Sequence, residues 1–320
     1  MIRTLSWQID AADPDATIEQ FLRAHGCSHH VMTHLKRTER GILRNGVWAY
    51  TNERLAAGDL LEICLIESES SVNITPIRMP LSIVYEDEDL LVINKPADTP
   101  IHPSINNHEN TLANGIMYYY ASQNIPFVYR CINRLDRDTS GLLIIAKNML
   151  SGAILSKMSA ERKIHREYLA ITEGTLNDSG RIDAPIARAC GSAIERCVDF
   201  VHGERAVTHY KSLLHFFAKI PARTECFPDT EIPVQAENKP LTLASVRLET
   251  GRTHQIRVHM KHIGHPLIGD FLYNPSCDVP MQRQALHSYR LSFCHPLTGK
   301  ELDFTCEPPE DMKRLLPKNI

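Results

Sequence analysis

Asn133-Arg134-Leu135-Asp136-Arg137-Asp138-Thr139-Ser140-Gly141 leads directly into the apolar run Leu142 to Ala146. The run reads as a strand, and the polar stretch before it as a turn held at the edge of a core. Functional groups favour that placement, because a rigid element fixes the side chains of the loop it carries. Two carboxylates beside two arginines form an electrostatic cluster in which neighbouring positive charge favours the ionised acids. An ionised carboxylate serves as nucleophile or base. Taken alone, the plainer account is a turn stapled by surface ion pairs, with Thr139-Ser140-Gly141 as turn chemistry.

Outward from this strand, Leu81 to Tyr85 and Leu90 to Asn94 are predicted strands flanking the acidic turn Glu86 to Asp89. Tyr168 to Thr172 and Leu241 to Leu248 are two more. Helices are expected over Asn110 to Ser122 and Ser151 to Glu161. Strands dominate and helices are interspersed without regular β-α-β units, which predicts an α+β protein and not a doubly wound one. Ala218 to Pro240 carries four prolines and little periodicity, so it reads as an irregular elaboration or lid.

Towards the N-terminus, Thr17 is placed to cap a short helix carrying Ile18, Phe21 and Leu22, ended by His25-Gly26. Val31, His34, Leu35 and Thr38 continue the helical period in a basic second helix that Gly41 punctuates. Ile42 to Tyr50 and Leu60 to Ile66 read as strands. Residues 1–66 therefore form a small module, residues 67–80 a polar linker with Pro76 and Pro80, and residues 81–320 a second domain.

The 320 residues are 43% hydrophobic and 23% charged, an ordinary globular balance that excludes disordered and collagen-like chains. No apolar stretch approaches the roughly 20 residues of a bilayer span, and Met1 to Asp15 lacks a signal core. The nine cysteines are odd in number and nowhere spaced as C-x-x-C, which fits a reducing cytoplasm better than a disulfide framework or a zinc ribbon. A net charge of -3 hides segregation. Arg23 to Arg44 holds five bases against Glu39 alone, Glu67 to Asp89 holds six acids against Arg78, and Arg130 to Glu167 holds eight bases against four acids. Such runs are either solvated faces or phosphate contacts.

A second constellation spans Gly251 to Gly264. Thr253 is expected to cap a helix that Gly264 ends, with Ile256, Met260 and Ile263 on its apolar stripe and Arg257 about 100° around, at the rim of the core. His259, His262 and His265 lack the flanking carboxylate of a metal motif and are expected to face the surface or RNA. Tyr168 opens an apolar strand under a basic run, where it is either a core tyrosine or a stacking surface for an extruded base.

These motifs, in this order, resemble the pseudouridine synthases of the RluA type. Arg134 to Lys147 resembles the family's catalytic signature, Asp87 to Pro103 its opening segment, Arg166 to Gly174 its tyrosine motif and Gly251 to His259 its arginine motif. Gly269-Asp270, Tyr273 and Leu286 to Ser288 resemble its closing elements. Residues 1–66 resemble, more loosely, the RNA-binding module of the ribosomal S-four type. The resemblance implies a catalytic domain built on a mixed, largely antiparallel sheet with flanking helices, joined to a small α/β RNA-binding module.

It further implies that Asp136 attacks a target uridine, at carbon 6 of the base or at the anomeric carbon, after which the freed base rotates and rejoins through carbon 5. Arg257 would pair with Asp136, Tyr168 would stack on the base and assist proton removal, and Arg134 would fill the space the flipped nucleotide leaves. The basic runs then read as phosphate contacts: Lys36, Arg37, Arg40 and Arg44 in the module, and Arg137, Arg252, His254 and Gln255 beside the site. Asn133 stands where the family usually has His, and is expected to contact RNA and shift substrate preference. The expected partner is ribosomal or transfer RNA, met by a cytoplasmic monomer needing no cofactor, metal or membrane. Two other readings are a non-catalytic RNA-binding or ribosome-assembly factor on the same fold, and a metal-dependent hydrolase using Asp136, Asp138 and the histidines.

Overall fold

The computed structural model describes residues 1–10, 16–104, 107–221, 236–275 and 281–317. Near the N-terminus, β1 (Ile2–Gln8), α1 (Ile18–Ala24), α2 (His29–Arg37), β2 (Ile42–Arg44), β3 (Val47–Trp48) and β4 (Leu60–Ile66) follow one another. Their strands make an antiparallel sheet in the order β1-β4-β2-β3. Thr17 caps α1 in a capping box with Gln20, and Ser28 caps α2. The expected single strand from Ile42 to Tyr50 is instead a hairpin. Asn45 and Gly46 both adopt positive φ (53° and 77°), the geometry of a two-residue hairpin turn. Strand β1 has no counterpart in the sequence reading, because its alternation is between exposed and half-buried positions.

The second sheet is built from β5 (Ile83–Glu86), β6 (Leu90–Lys95), β7 (Ser140–Ala146), β8 (His165–Glu173), β9 (Ser179–Asp183), β12 (Val207–Pro221), β13 (Ala236–Leu248) and β14 (Leu286–Cys294). Its order is β5-β6-β7-β14-β8-β13-β12-β9, with β15 (Glu301–Thr305) paired to β14. A separate ribbon pairs β10 (Ile186–Arg188) with β11 (Arg196–Val198), and the helices are α3 (Leu112–Ala121), α4 (Met149–Ala160), α5 (Gln255–His262) and α6 (Glu310–Lys313). Among the described residues the β7–β14 pairing is parallel and the other named pairs are antiparallel, so the α+β expectation holds. None of these helices is long and apolar enough to cross a membrane.

Every residue of β7 is buried. Leu143 and Ile145 pack with Leu112 and Ile116 of α3, while Leu142, Ile144 and Ala146 pack with Leu155 of α4 and Phe293 of β14. Covering both faces explains why this strand is an unbroken apolar run and not an alternation. The expected irregular segment from Ala218 to Pro240 is corrected: residues 218–221 and 236–240 extend β12 and β13 as arms of one long antiparallel hairpin. Residues 222–235 of that segment lie outside the described residues.

The first sheet and its helices share a core with α4, where Met149 and Leu150 pack with Ile18, Leu22 and Leu35. Gly26 marks a close approach, since a Cβ there would sit 2.5 Å from Ile154. Arg3 reaches Asp89 through two hydrogen bonds of 2.9 Å, and Arg130 pairs with Glu67. Residues 67–80 are pinned as they cross: Ser70 and Ser71 hydroxyls accept the Phe127 and Tyr129 N–H groups.

Candidate active site

The loop of residues 131–139 is closed onto β7 before Asp136 is reached. Ile132 N–H donates to Ile144 O at 2.9 Å, and Asn133 Oδ1 accepts the Ile144 N–H at 2.9 Å. Leu135 anchors the loop in the main core. From below, the fully buried Lys95 donates to Pro96 O, Thr99 O and Arg137 O at 2.7–2.9 Å, tying the loop to the end of β6. Burial pushes the Lys95 ammonium down to about 7, against the pull of Asp138 and Asp136.

Just past the loop, as the second residue of β7, Gly141 has a φ of 114° that only glycine adopts without strain. A Cβ there would lie 2.3 Å from Ser288 O on β14. Gly141→Ala is therefore expected to cost about 2–3 kcal/mol through backbone strain and overpacking. Thermal melting checks this, and an unchanged midpoint would mean that β7 and β14 separate freely at this point.

Asp136 keeps a quarter of its side chain exposed, and Arg257 of α5 brings Nη1 to 3.3 Å from its Oδ2. The rest of that guanidinium is fixed. Nε and Nη2 donate to the two oxygens of Asp270 at 2.7 and 2.8 Å, a bidentate pair of which Asp270 is wholly buried. Asp270 Oδ1 also accepts the N–H groups of Leu272 and Tyr273. Burial would lower the Arg257 pKa, but the hydrogen bonds and charge of Asp270, with Asp136 adding to them, raise it. The guanidinium lies 4.9 Å over the Tyr273 ring.

Helix α5 starts differently from expectation. His254, at φ 56°, is the N-cap and Thr253 is not; no side chain caps the first turn. Instead Gln255 is buried with its amide fully engaged, accepting from Thr250 Oγ1 and Arg252 N and donating to Val207 O and Thr208 Oγ1. Gln255, expected to bind RNA, thus clamps the Gly251 loop to β12. His254 Nδ1 lies 2.8 Å from the Tyr273 hydroxyl and Nε2 4.0 Å from Asp136. Burial lowers its pKa, opposed by Asp136.

Asp136, Tyr168, Arg257, Arg134, Arg252 and His254 all face one cleft of about 600 Å³. Arg162, Arg166 and Arg247 join its wall, so six arginines stand against two carboxylates, Asp136 and Glu249. Such an excess suits a polyanion. Arg137 lies in an adjoining cavity and pairs with Asp98. Four expected RNA contacts lie apart from the cleft, on the N-terminal sheet and helices: Lys36 pairs with Glu19, Arg44 with Asp59, Arg40 donates to Gly46 O, and Arg37 is exposed. Asn133 lines the cleft but is 3% exposed, its oxygen committed to the backbone, so its first role is to close the loop.

Of the three histidines at α5 and its exit, His262 is exposed as expected, and His259 is corrected. His259 is wholly buried, bonded to Thr208 Oγ1 and Ala184 O at 2.8 Å each, and faces neither surface nor RNA. His265 bonds Glu173 O. Among the described residues the grouping of ligand-type atoms is Asp87, Asp89 and His295, and these are engaged by Tyr85, Arg3 and Asn148. Asp270, Tyr273, Lys95, Arg166 and Arg247 have no assigned role in the sequence reading. Asp270 carries one usable signal, a lone acid closing the apolar Leu267-Ile268-Gly269 segment.

Comparison with known proteins adds to this geometry. A family model described as RNA pseudouridylate synthase matches residues 89–262. The protein named uncharacterized RNA pseudouridine synthase YjbO of Bacillus subtilis is 36% identical over 301 residues, 94% of this chain and 98% of its own. Ribosomal large subunit pseudouridine synthase D of Zymomonas mobilis is 41% identical over 256 residues, 75% of this chain and 73% of its own. Among solved structures, human RNA pseudouridylate synthase domain containing 1 superposes with a TM-score of 0.55 at 25% identity, covering 75% of this chain and 86% of its own.

Proposed function

The chain belongs to the RNA pseudouridylate synthase family, and from that premise we propose that it isomerises one uridine of structured ribosomal RNA with Asp136 as the attacking carboxylate. One observation carries the reading. Asp136 is the partly exposed carboxylate at the point where Arg257 enters an arginine-lined cleft, and Arg257 is itself locked on Asp270. Relatives named ribosomal large subunit pseudouridine synthase D favour ribosomal over transfer RNA as the substrate.

The target nucleotide is flipped into the cleft, and Arg134, exposed at the mouth, takes up the vacated space. Asp136 adds to carbon 6 of the base or displaces it at the anomeric carbon. In either route the bond from N1 to the anomeric carbon breaks, the uracil turns, a bond from carbon 5 to the anomeric carbon forms, and the bond to Asp136 breaks, returning the free carboxylate. The carbon 5 proton then leaves to a base and N1 gains one, so atoms balance. Tyr168 lines the cleft, 3% exposed and packed in the main core, and the role proposed for it is to stack on the base and assist proton removal. The basic residues of α2 and the Asn45-Gly46 hairpin recruit RNA electrostatically.

Tritium release from RNA labelled at carbon 5 of uridine, taken from cells lacking this protein, tests the reading. Release approaching one equivalent per ribosomal RNA molecule is the expected result. Tight binding without release would favour the RNA-binding factor instead.

A further inference from the structure

A second cavity, of about 800 Å³, adjoins the cleft. The two share a partition: residues 134–136, Arg252, His254 and Arg257 face both. Its volume lies within the range of small-ligand sites.

Three features of its lining point to a nucleotide. Phe271 and Ile194 stand on its wall 63% and 66% exposed, and neither belongs to any of the apolar cores. A flat, solvent-facing aromatic beside cationic groups is a stacking surface for an unpaired base. Four arginines, 134, 137, 252 and 257, outnumber Asp136 and Asp138 around it. Arg137 and Arg252 are held there by exposed ion pairs with Asp98 and Glu204, which contribute little and yield readily to a phosphate. Finally, Gln284 is 1% exposed on this lining, with one end of its amide bonded to Thr139 Oγ1 and the other unpartnered among the described residues. A buried amide end left unmade is a point for a base edge to bond.

We propose that this cavity receives the base of a nucleotide adjacent to the target uridine in the same RNA strand, stacked on Phe271, with its phosphate on Arg137 and Arg252. The shared partition selects a neighbour over a free nucleotide, because a strand with one base against Asp136 continues past the wall that both cavities share. The proposal rests on the uridine reading of the Asp136 cleft. It assigns the second cavity to sequence selection: the enzyme reads its target together with an unstacked neighbour.

The test uses a synthetic RNA hairpin copied from the site mapped by tritium release, and variants in which each nucleotide flanking the uridine is abasic. Single-turnover rates are measured for the full-length wild type, Phe271→Ala and Ile194→Ser. Both replaced side chains are exposed, so folding is retained. Removing the base on one side is expected to slow the wild type about ten- to a hundredfold. Phe271→Ala is expected to show a similar loss on the intact hairpin and no further loss on that abasic one. Equal losses on every substrate, or a wild type indifferent to both abasic neighbours, would overturn the assignment. If the wild type releases no tritium from any RNA, the reading of the cleft itself has failed.

Discussion

Asp136→Asn is expected to lower single-turnover tritium release at least about a thousandfold while leaving RNA affinity within a few-fold of the wild type. The amide fills the same space as the carboxylate and keeps an oxygen facing Arg257, so the loop has no steric reason to move. What it loses is the negative charge and with it the ability to form a covalent adduct. Because Asp136 is a quarter exposed and Arg257 stays fixed by its two bonds to Asp270, the variant should fold normally. A melting temperature close to that of the wild type would establish this. The affinity for RNA proposed for this cleft rests on the surrounding arginines, which the substitution leaves in place. An Asp136→Asn protein that still isomerises within tenfold of the wild type would remove this carboxylate from the chemistry and leave the cleft as a binding surface.

Elements determined by a short window of chain are legible in the sequence alone. Thr17 caps the helix it precedes, and the run from Leu142 to Ala146 is the strand it looks like. The motif residues Asp136, Tyr168 and Arg257 do meet at one cleft. What is not legible depends on partners far along the chain. Arg257 meets Asp136 across 121 positions, a pairing expected from the family resemblance and from no local pattern, and Gln255 finds Val207 across 48, which nothing in the sequence announced. The resemblance makes Gln255 an RNA contact, and the local pattern makes Thr253 a cap, because Thr is favoured at helix starts. Burial against β12 engages the Gln255 amide, and His254 takes the N-cap position in place of Thr253. The long hairpin of β12 and β13 escapes a local reading for a related reason, since the prolines at its far end break the alternation that marks a strand.

Asp270, marked in the sequence as part of a motif but given no role there, carries the second large effect. Arg257 is 4% exposed, so Asp270→Ala strands a buried guanidinium with only the partly exposed Asp136 for company. Breaking a buried pair from one side costs about 3–5 kcal/mol, and here two backbone N–H groups lose their acceptor as well. The melting temperature is expected to fall by about 10 °C. Asp270→Asn separates position from stability: it keeps an oxygen for those N–H groups and gives up the bidentate charged grip on Nε and Nη2. Arg257 then loses the constraint that aims Nη1 at Asp136, and a misplacement of that kind costs about a hundredfold in rate. The loss should fall on kcat, with KM changed less, since the other arginines lining the cleft are untouched. Replacing both partners, Arg257→Met with Asp270→Leu, should recover much of the stability, because a packed apolar pair is often no worse than a buried ionic one. It should recover none of the activity. If Asp270→Asn instead keeps the wild-type kcat at a temperature where it is folded, Asp270 only supports the fold, and Arg257 is aimed by the Tyr273 ring and by α5 alone.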